Sequence, residues 1–189
     1  MTTETLIPQG FSPSADKADE SDKVADYADL KVMVALTAGT IAGRVALQHV
    51  PNVSPVIAVT AASGYYFGIR EGVVTGASAY YLSNFLVYGG QGPWTFFQVA
   101  GAASAGLAAG IMGKKLSSKL AYLTSVLVGV LLFQISVNIG SLTYAAFTGM
   151  GLAYLASAVP FALTHISSSL GFGLMLYGSK EKIGLYRKN

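Results

Sequence analysis

Charge is almost absent from the middle of this chain, and that limits what the chain can fold into. Between Val32 and Gly113 the only charged residues are Arg44, Arg70 and Glu71. Over all 189 residues, 11% are charged and 52% are hydrophobic. A soluble domain carries about 25% charged residues, so this chain cannot cover a surface that faces water. Apolar runs with charge confined to their ends describe a multi-span, all-α membrane protein.

The placement of charge also orients the chain. Residues 1–29 hold seven acids, namely Glu4, Asp16, Asp19, Glu20, Asp22, Asp26 and Asp29. They lack the basic start and apolar run of a secretory signal and read as a disordered cytoplasmic tail, with helical tendency near Lys23–Leu30. All Lys and Arg except Arg44 lie near the N-terminus or in segments around 70, 114–119 and 180–188. The sequence pI near 9.0 therefore reflects a positive-inside bias, not a nucleic-acid surface.

A helix needs about 20 apolar residues to cross the hydrocarbon core. Six candidates emerge: Leu30–His49, Pro55–Gly68, Gly72–Tyr88, a span from Pro93 to Gly113, Leu120–Ile139 and Pro160–Gly178. Pro51 and Pro55 force a non-helical link after the first. Pro93 and Pro160 suit helix starts. Residues 140–159 read as an interfacial helix, with one bent helix from about 149 as the other option. Six spans put both termini on one side, the cytoplasmic one, because the basic segments collect there. The domains are then a tail (1–29), a six-helix domain (30–178) and a basic cytoplasmic tail (179–189), in the cell membrane.

Polar residues within the spans gather at one depth. Arg44, Asn84, Trp94, Gln98, Gln134, Asn138 and His165 all fall in the outer halves, with Tyr80, Tyr81 and Tyr144 at similar depth and Gln91 in the loop before Trp94. Trp94 and Gln98 share a helix face, as do Gln134 and Asn138, because each pair is four residues apart. An ionisable group in a span costs about 2.5–3.5 kcal/mol on insertion scales and normally faces a cavity or a partner. Polar lining in one leaflet describes an outward-facing pocket; a channel would need it from end to end. The plainer readings are an aromatic belt for Trp94 and the tyrosines, interhelical bonding for Asn84, Asn138 and His165, and a snorkelling Arg44.

The first span carries two small-residue stripes, Ala35, Gly39, Gly43 and Ala38, Ala42, Ala46. Such stripes let helices approach closely, inside the bundle or against an outside partner. The chain has no Cys, two His and no acid within a span. Zinc sites, carboxylate pairs and Ser-His-Asp triads are therefore unsupported, and no metal, cofactor or enzymatic activity is expected. There is no phosphate-binding Gly-Lys motif, so any ATP use belongs to other subunits.

The segments GRVALQHVPNVSPVIAV (43–59), LSNFLVYGGQGPWTFFQ (82–98) and PFALTHISSS (160–169) resemble the S components of energy-coupling factor (ECF) transporters. That resemblance implies a six-helix membrane subunit that captures a vitamin-like micronutrient from outside. Its partners would be a transmembrane scaffold, met through the small-residue stripes of the first helix, and two ATPases. The ligand would be a corrinoid, riboflavin, a pyridoxine-like compound or another base-containing nutrient. Relative to the subgroup pattern, Ala162 stands where Asp is expected, Ser169 where Asn is expected, and Gln134 where Asp is common. Arg44 and His165 are then the ionisable groups of the pocket, which favours a neutral or anionic ligand. Trp94 and a tyrosine would stack on a planar group. Gln91, Gln98, Asn84 and Asn138 would bond its polar edges, and Arg44 or His165 would meet an anion. The alternatives are an assembly subunit of a membrane complex with no ligand and, less supported, a membrane enzyme acting on lipid.

Overall fold

The apolar runs become helices, and Pro and Gly set most of their limits. The computed structural model describes residues 13–148 and 151–186, with side chains from Leu30 on except at 144, 146–148, 151–155 and 157. Among the described residues there are six helices and no strand: α1 (Pro13–Ala46), α2 (Val56–Phe67), α3 (Ile69–Ser83), α4 (Pro93–Lys115), α5 (Lys119–Thr148) and α6 (Gly151–Ser179). The chain divides into two units, Met1–Lys31 and Val32–Asn189. α1 starts within the segment read as a tail. The second unit contains the C-terminal part of α1 and all of α2 to α6, and with them the helical bundle.

Three stretches are long and apolar enough to cross a membrane: Pro93–Lys115, Lys119–Thr143 and Ala158–Ser179. At about 1.5 Å per residue, the 23 residues of α4 match a hydrocarbon core of about 30 Å. α2 and α3, with 12 and 15 residues, do not reach that length. The position of α2 explains its shortness. All of its residues are buried, because α3, α4, α5 and α6 each pack against it. It is the central post of the bundle rather than a lipid-facing span.

Several boundaries differ from the sequence reading. The third helix starts at Ile69 and ends at Ser83 rather than covering 72–88. The break before it falls at Gly68, not at Arg70-Glu71. Gly68 has φ 131°, a value L side chains rarely adopt, so one residue reverses the chain between α2 and α3. The sixth helix starts at Gly151 and carries Pro160 inside it, so a single helix through Pro160 is the option observed. Proline removes one backbone donor from a helix interior. Thr164 Oγ1 donates to Pro160 O at 3.0 Å in the next turn. Residues 140–148 continue α5 instead of forming an interfacial helix.

Close approach of α2, α3 and α4 rests on glycines that carry no signal in the sequence reading. A Cβ on Gly72 would lie 2.6 Å from Gly64 Cα and 2.8 Å from Gly106 O. A Cβ on Gly64 or Gly106 would overlap facing backbone in the same way. These contacts set α2 antiparallel to α3 and α3 antiparallel to α4. Facing pairs Gly101–Ser136 and Gly173–Val126 carry the alternation on through α5 and α6. Consequently α2 starts, α3 ends, α4 starts and α6 starts at one end of the bundle. Arg70, Lys114, Lys115, Lys119 and Lys180 belong to the other end, where Tyr65, Tyr66, Tyr122 and Tyr177 pack together and Lys180 Nζ lies 4.5 Å from the Tyr177 ring centre.

Of the two stripes on α1, Ala35, Ala38, Gly39, Ala42 and Ala46 are exposed. Only Gly43 turns into the bundle, where a Cβ would meet Pro55 Cγ at 3.1 Å.

Candidate functional site

Five helices converge on a guanidinium at the end of the bundle away from the lysines. The last turn of α1 supplies Arg44, the end of α3 supplies Tyr80, Ser83 and its C-cap Asn84, and the start of α4 supplies Thr95 and Gln98. α5 and α6 add Phe133, Gln134 and His165. Helical spacing accounts for part of this: Tyr80 and Asn84 are one turn apart, as are Thr95 and Gln98.

Arg44 Nη1 donates to Ser83 Oγ and, at 2.8 Å, to Asn84 Oδ1. Its Cζ lies 4.5 Å from the Tyr80 ring centre, a cation–π contact worth about 2 kcal/mol when water is excluded. Asn84 is 1% exposed, and its Nδ2 donates to Thr95 Oγ1 at 2.9 Å and to Gln98 Oε1 at 2.8 Å. Thr95 Oγ1 also accepts from Gly92 N at 3.2 Å, capping the first turn of α4. One buried amide thus ties α1, α3 and α4 together. Every hydrogen-bond partner of Arg44 among the described residues is neutral, and Glu71 is the sole acid in the sequence between Asp29 and Glu181.

Beside this network lies a cavity of ≈ 270 Å³. Arg44, Tyr80 and Gln98 line one part, Phe133, Gln134, Val137 and His165 another, and residues 47–48, 50–54 and 87–88 contribute the rest. Tyr80 stacks on Phe133 with ring centres 4.8 Å apart, and Phe133 meets the edge of His165 at 5.2 Å. This makes an aromatic stack with Arg44 at one end and His165 at the other. His165 is 2% exposed. Its Nδ1 lies 3.2 Å from Gln134 Oε1, while its Nε2 is buried without a partner. A buried nitrogen left unbonded costs about 1–3 kcal/mol, which a polar ligand or a water would recover.

The 47–54 segment is held over the cavity by two ties. Gln48 Oε1 accepts from Tyr88 N at 2.9 Å, and Ser168 Oγ donates to Asn52 O at 3.1 Å. Asn52 has φ 59°, a left-handed conformation Asn tolerates better than most side chains. It turns the chain between Pro51 and Pro55.

The sequence-derived candidates divide. Arg44, Gln98, Gln134 and His165 line the cavity, and Asn84 is bonded to two of them. Gln91 does not; its Nε2 donates to Tyr81 O at 2.7 Å and braces the loop. Trp94 also turns away. It is 48% exposed, its Nε1 donates to Gly90 O at 3.3 Å, and its indole occupies the space a Cβ on Gly92 would need. Asn138 is half-buried and not among the lining residues. The Tyr144 side chain lies outside the described residues. Phe133, Ser83, Thr95 and Gln48 join the site without any sequence signal that marks them, and Tyr80 is marked only as an amphipathic ring.

Among the described residues, no three His, Asp, Glu or Cys side chains converge as metal ligands would. Four donors or acceptors on an apolar wall are instead what a small organic molecule requires.

No curated protein and no solved structure matches the chain. A family model described as a family of unknown function, DUF6580, matches residues 26–188, and the chain belongs to that family.

Proposed function

We propose that the chain is the membrane-embedded substrate-binding subunit of an ECF-type transporter. In this reading it has six membrane passes and both termini in the cytoplasm. It captures a small vitamin-like nutrient from outside and releases it inward when separate ATPase subunits act through a transmembrane scaffold. The family description names no function, so the reading rests on the residues. The observation that carries it is the cavity beside Arg44, at the end of the bundle opposite the lysines. By the positive-inside bias the lysine end is cytoplasmic, so the cavity opens outward. The short α2 and α3 pass through the bilayer enclosed by, or flanking, the longer helices. The exposed small face of α1 is where a scaffold helix would pack.

Two experiments test this. Because the chain has no native cysteine, single cysteines at His49 and Ser117 report topology directly. A membrane-impermeant maleimide added to intact cells should label the first and not the second; labelling of the second removes the orientation. Reconstitution with a scaffold and ATPases should then give ATP-dependent release of bound ligand into vesicles. An assembly subunit without a ligand would show the α1 contact and no uptake.

A further inference from the structure

The cavity also restricts the chemistry of its occupant, on the condition that it is a ligand site as proposed above. We infer that it takes a small planar monocarboxylate, whose carboxylate is held by Arg44 and whose ring packs beside the stacked Tyr80 and Phe133.

Charge argues first. A guanidinium has five N–H donors. Nη1 serves Ser83 and Asn84, and Nε and Nη2 have no partner among the described residues. Those two nitrogens form the fork that matches a carboxylate with two parallel hydrogen bonds. The lining residues contain this one cation and no acid. An occupant with a single negative charge balances the site. A cation would add like charge, and a dianion would leave one charge uncompensated in a poorly solvated place.

Size and shape argue next. The cavity of ≈ 270 Å³ lies near the lower end of small-molecule sites, about 300 Å³. That is room for one ring with its substituents. Tyr80 and Phe133 line the cavity as a stacked pair, which a further aromatic ring can join by offset or edge-to-face contact, and the unbonded His165 Nε2 gives the far end a polar contact. A water-soluble aromatic acid and a fatty acid both carry the carboxylate; the aromatic lining of Tyr80 and Phe133 favours the aromatic one.

The test uses full-length protein in lipid nanodiscs, with benzoate, benzamide, octanoate and inorganic phosphate as probes, measured by calorimetry. Benzoate should bind at least tenfold more tightly than its neutral isostere benzamide and than octanoate or phosphate. Benzamide equal to benzoate leaves a ligand site but overturns the anion assignment. Phosphate or octanoate equal to benzoate overturns the planar carboxylate. No binding by any of the four overturns the inference as well, and the transporter reading is then judged separately by co-purified ligand and uptake. Arg44→Gln should abolish the benzoate preference. Asn84→Asp provides a second variant that keeps the cation but places a carboxylate against it. It should stay folded by size-exclusion and lose the preference at least tenfold; retained preference in folded Asn84→Asp would overturn the role of Arg44.

Discussion

Asn84→Ala measures how much of the bundle depends on one buried amide. The substitution deletes three hydrogen bonds: one accepted from Arg44 at 2.8 Å, and two donated to Thr95 and Gln98 at 2.9 and 2.8 Å. Neutral interhelical bonds in a membrane protein average about 0.6 kcal/mol. A bond to a charged group contributes about 1.5–3 kcal/mol. Together these predict a loss of about 3–4 kcal/mol, most of it from the Arg44 bond. Unfolding in bicelles under mild denaturant reads the loss directly. Gln98→Ala, which removes one neutral bond, should cost about 0.6 kcal/mol from that bond, and the double variant should be less destabilised than the sum. A loss under about 1 kcal/mol for Asn84→Ala, less than the weakest bond to a charged group, would refute the view that this amide joins α1, α3 and α4.

Three further outcomes rest on the packing and the cavity. Gly106→Leu should fail to give a monodisperse protein on size-exclusion, because Gly72 backbone fills the space a side chain would need; Gly178→Ala, with nothing within 4 Å, should behave as wild type. Gly39→Leu, also with open space around it, should leave folding and ligand affinity unchanged and reduce association with a scaffold subunit in a pull-down. Trp94→Ala should change ligand affinity less than Gln98→Ala in calorimetry, because only Gln98 lines the cavity.

Much of the site is legible in the sequence because membrane depth is a one-dimensional quantity. A polar residue in an apolar run can be given a depth from its distance to the run's end. Depth groups Arg44, Asn84, Gln98, Gln134 and His165, and the structure bonds them as Arg44–Asn84–Gln98 and Gln134–His165. Depth does not say which way a side chain turns. Trp94 and Gln91 have the right depth, but bonds to Gly90 and to Tyr81 of α3 turn them away from the cavity. Asn138 shares a face with Gln134, yet it is the neighbouring Val137 that lines the cavity.

The glycine contacts are hidden for a related reason. Small-residue spacing on one helix is a local pattern, and α1 shows it most plainly. Close approach, however, requires glycines on two helices at matching heights, as at Gly64, Gly72 and Gly106. That match depends on how α2 and α3 are set against α4. The same packing explains α2. Its length suggests a weak span, whereas its complete burial makes it the centre of the bundle. Pro160 does not mark a boundary, because proline interrupts one hydrogen bond and does not by itself end a helix in apolar surroundings.

The most direct test of a ligand-binding subunit is mass spectrometry of the small molecules released from protein purified in mild detergent, set beside Arg44→Gln purified in the same way. A single small acid at near-stoichiometric amount in the wild type, and absent from the variant, is the predicted result. The same small molecules at the same levels in both samples, or none above a mock purification, would contradict it.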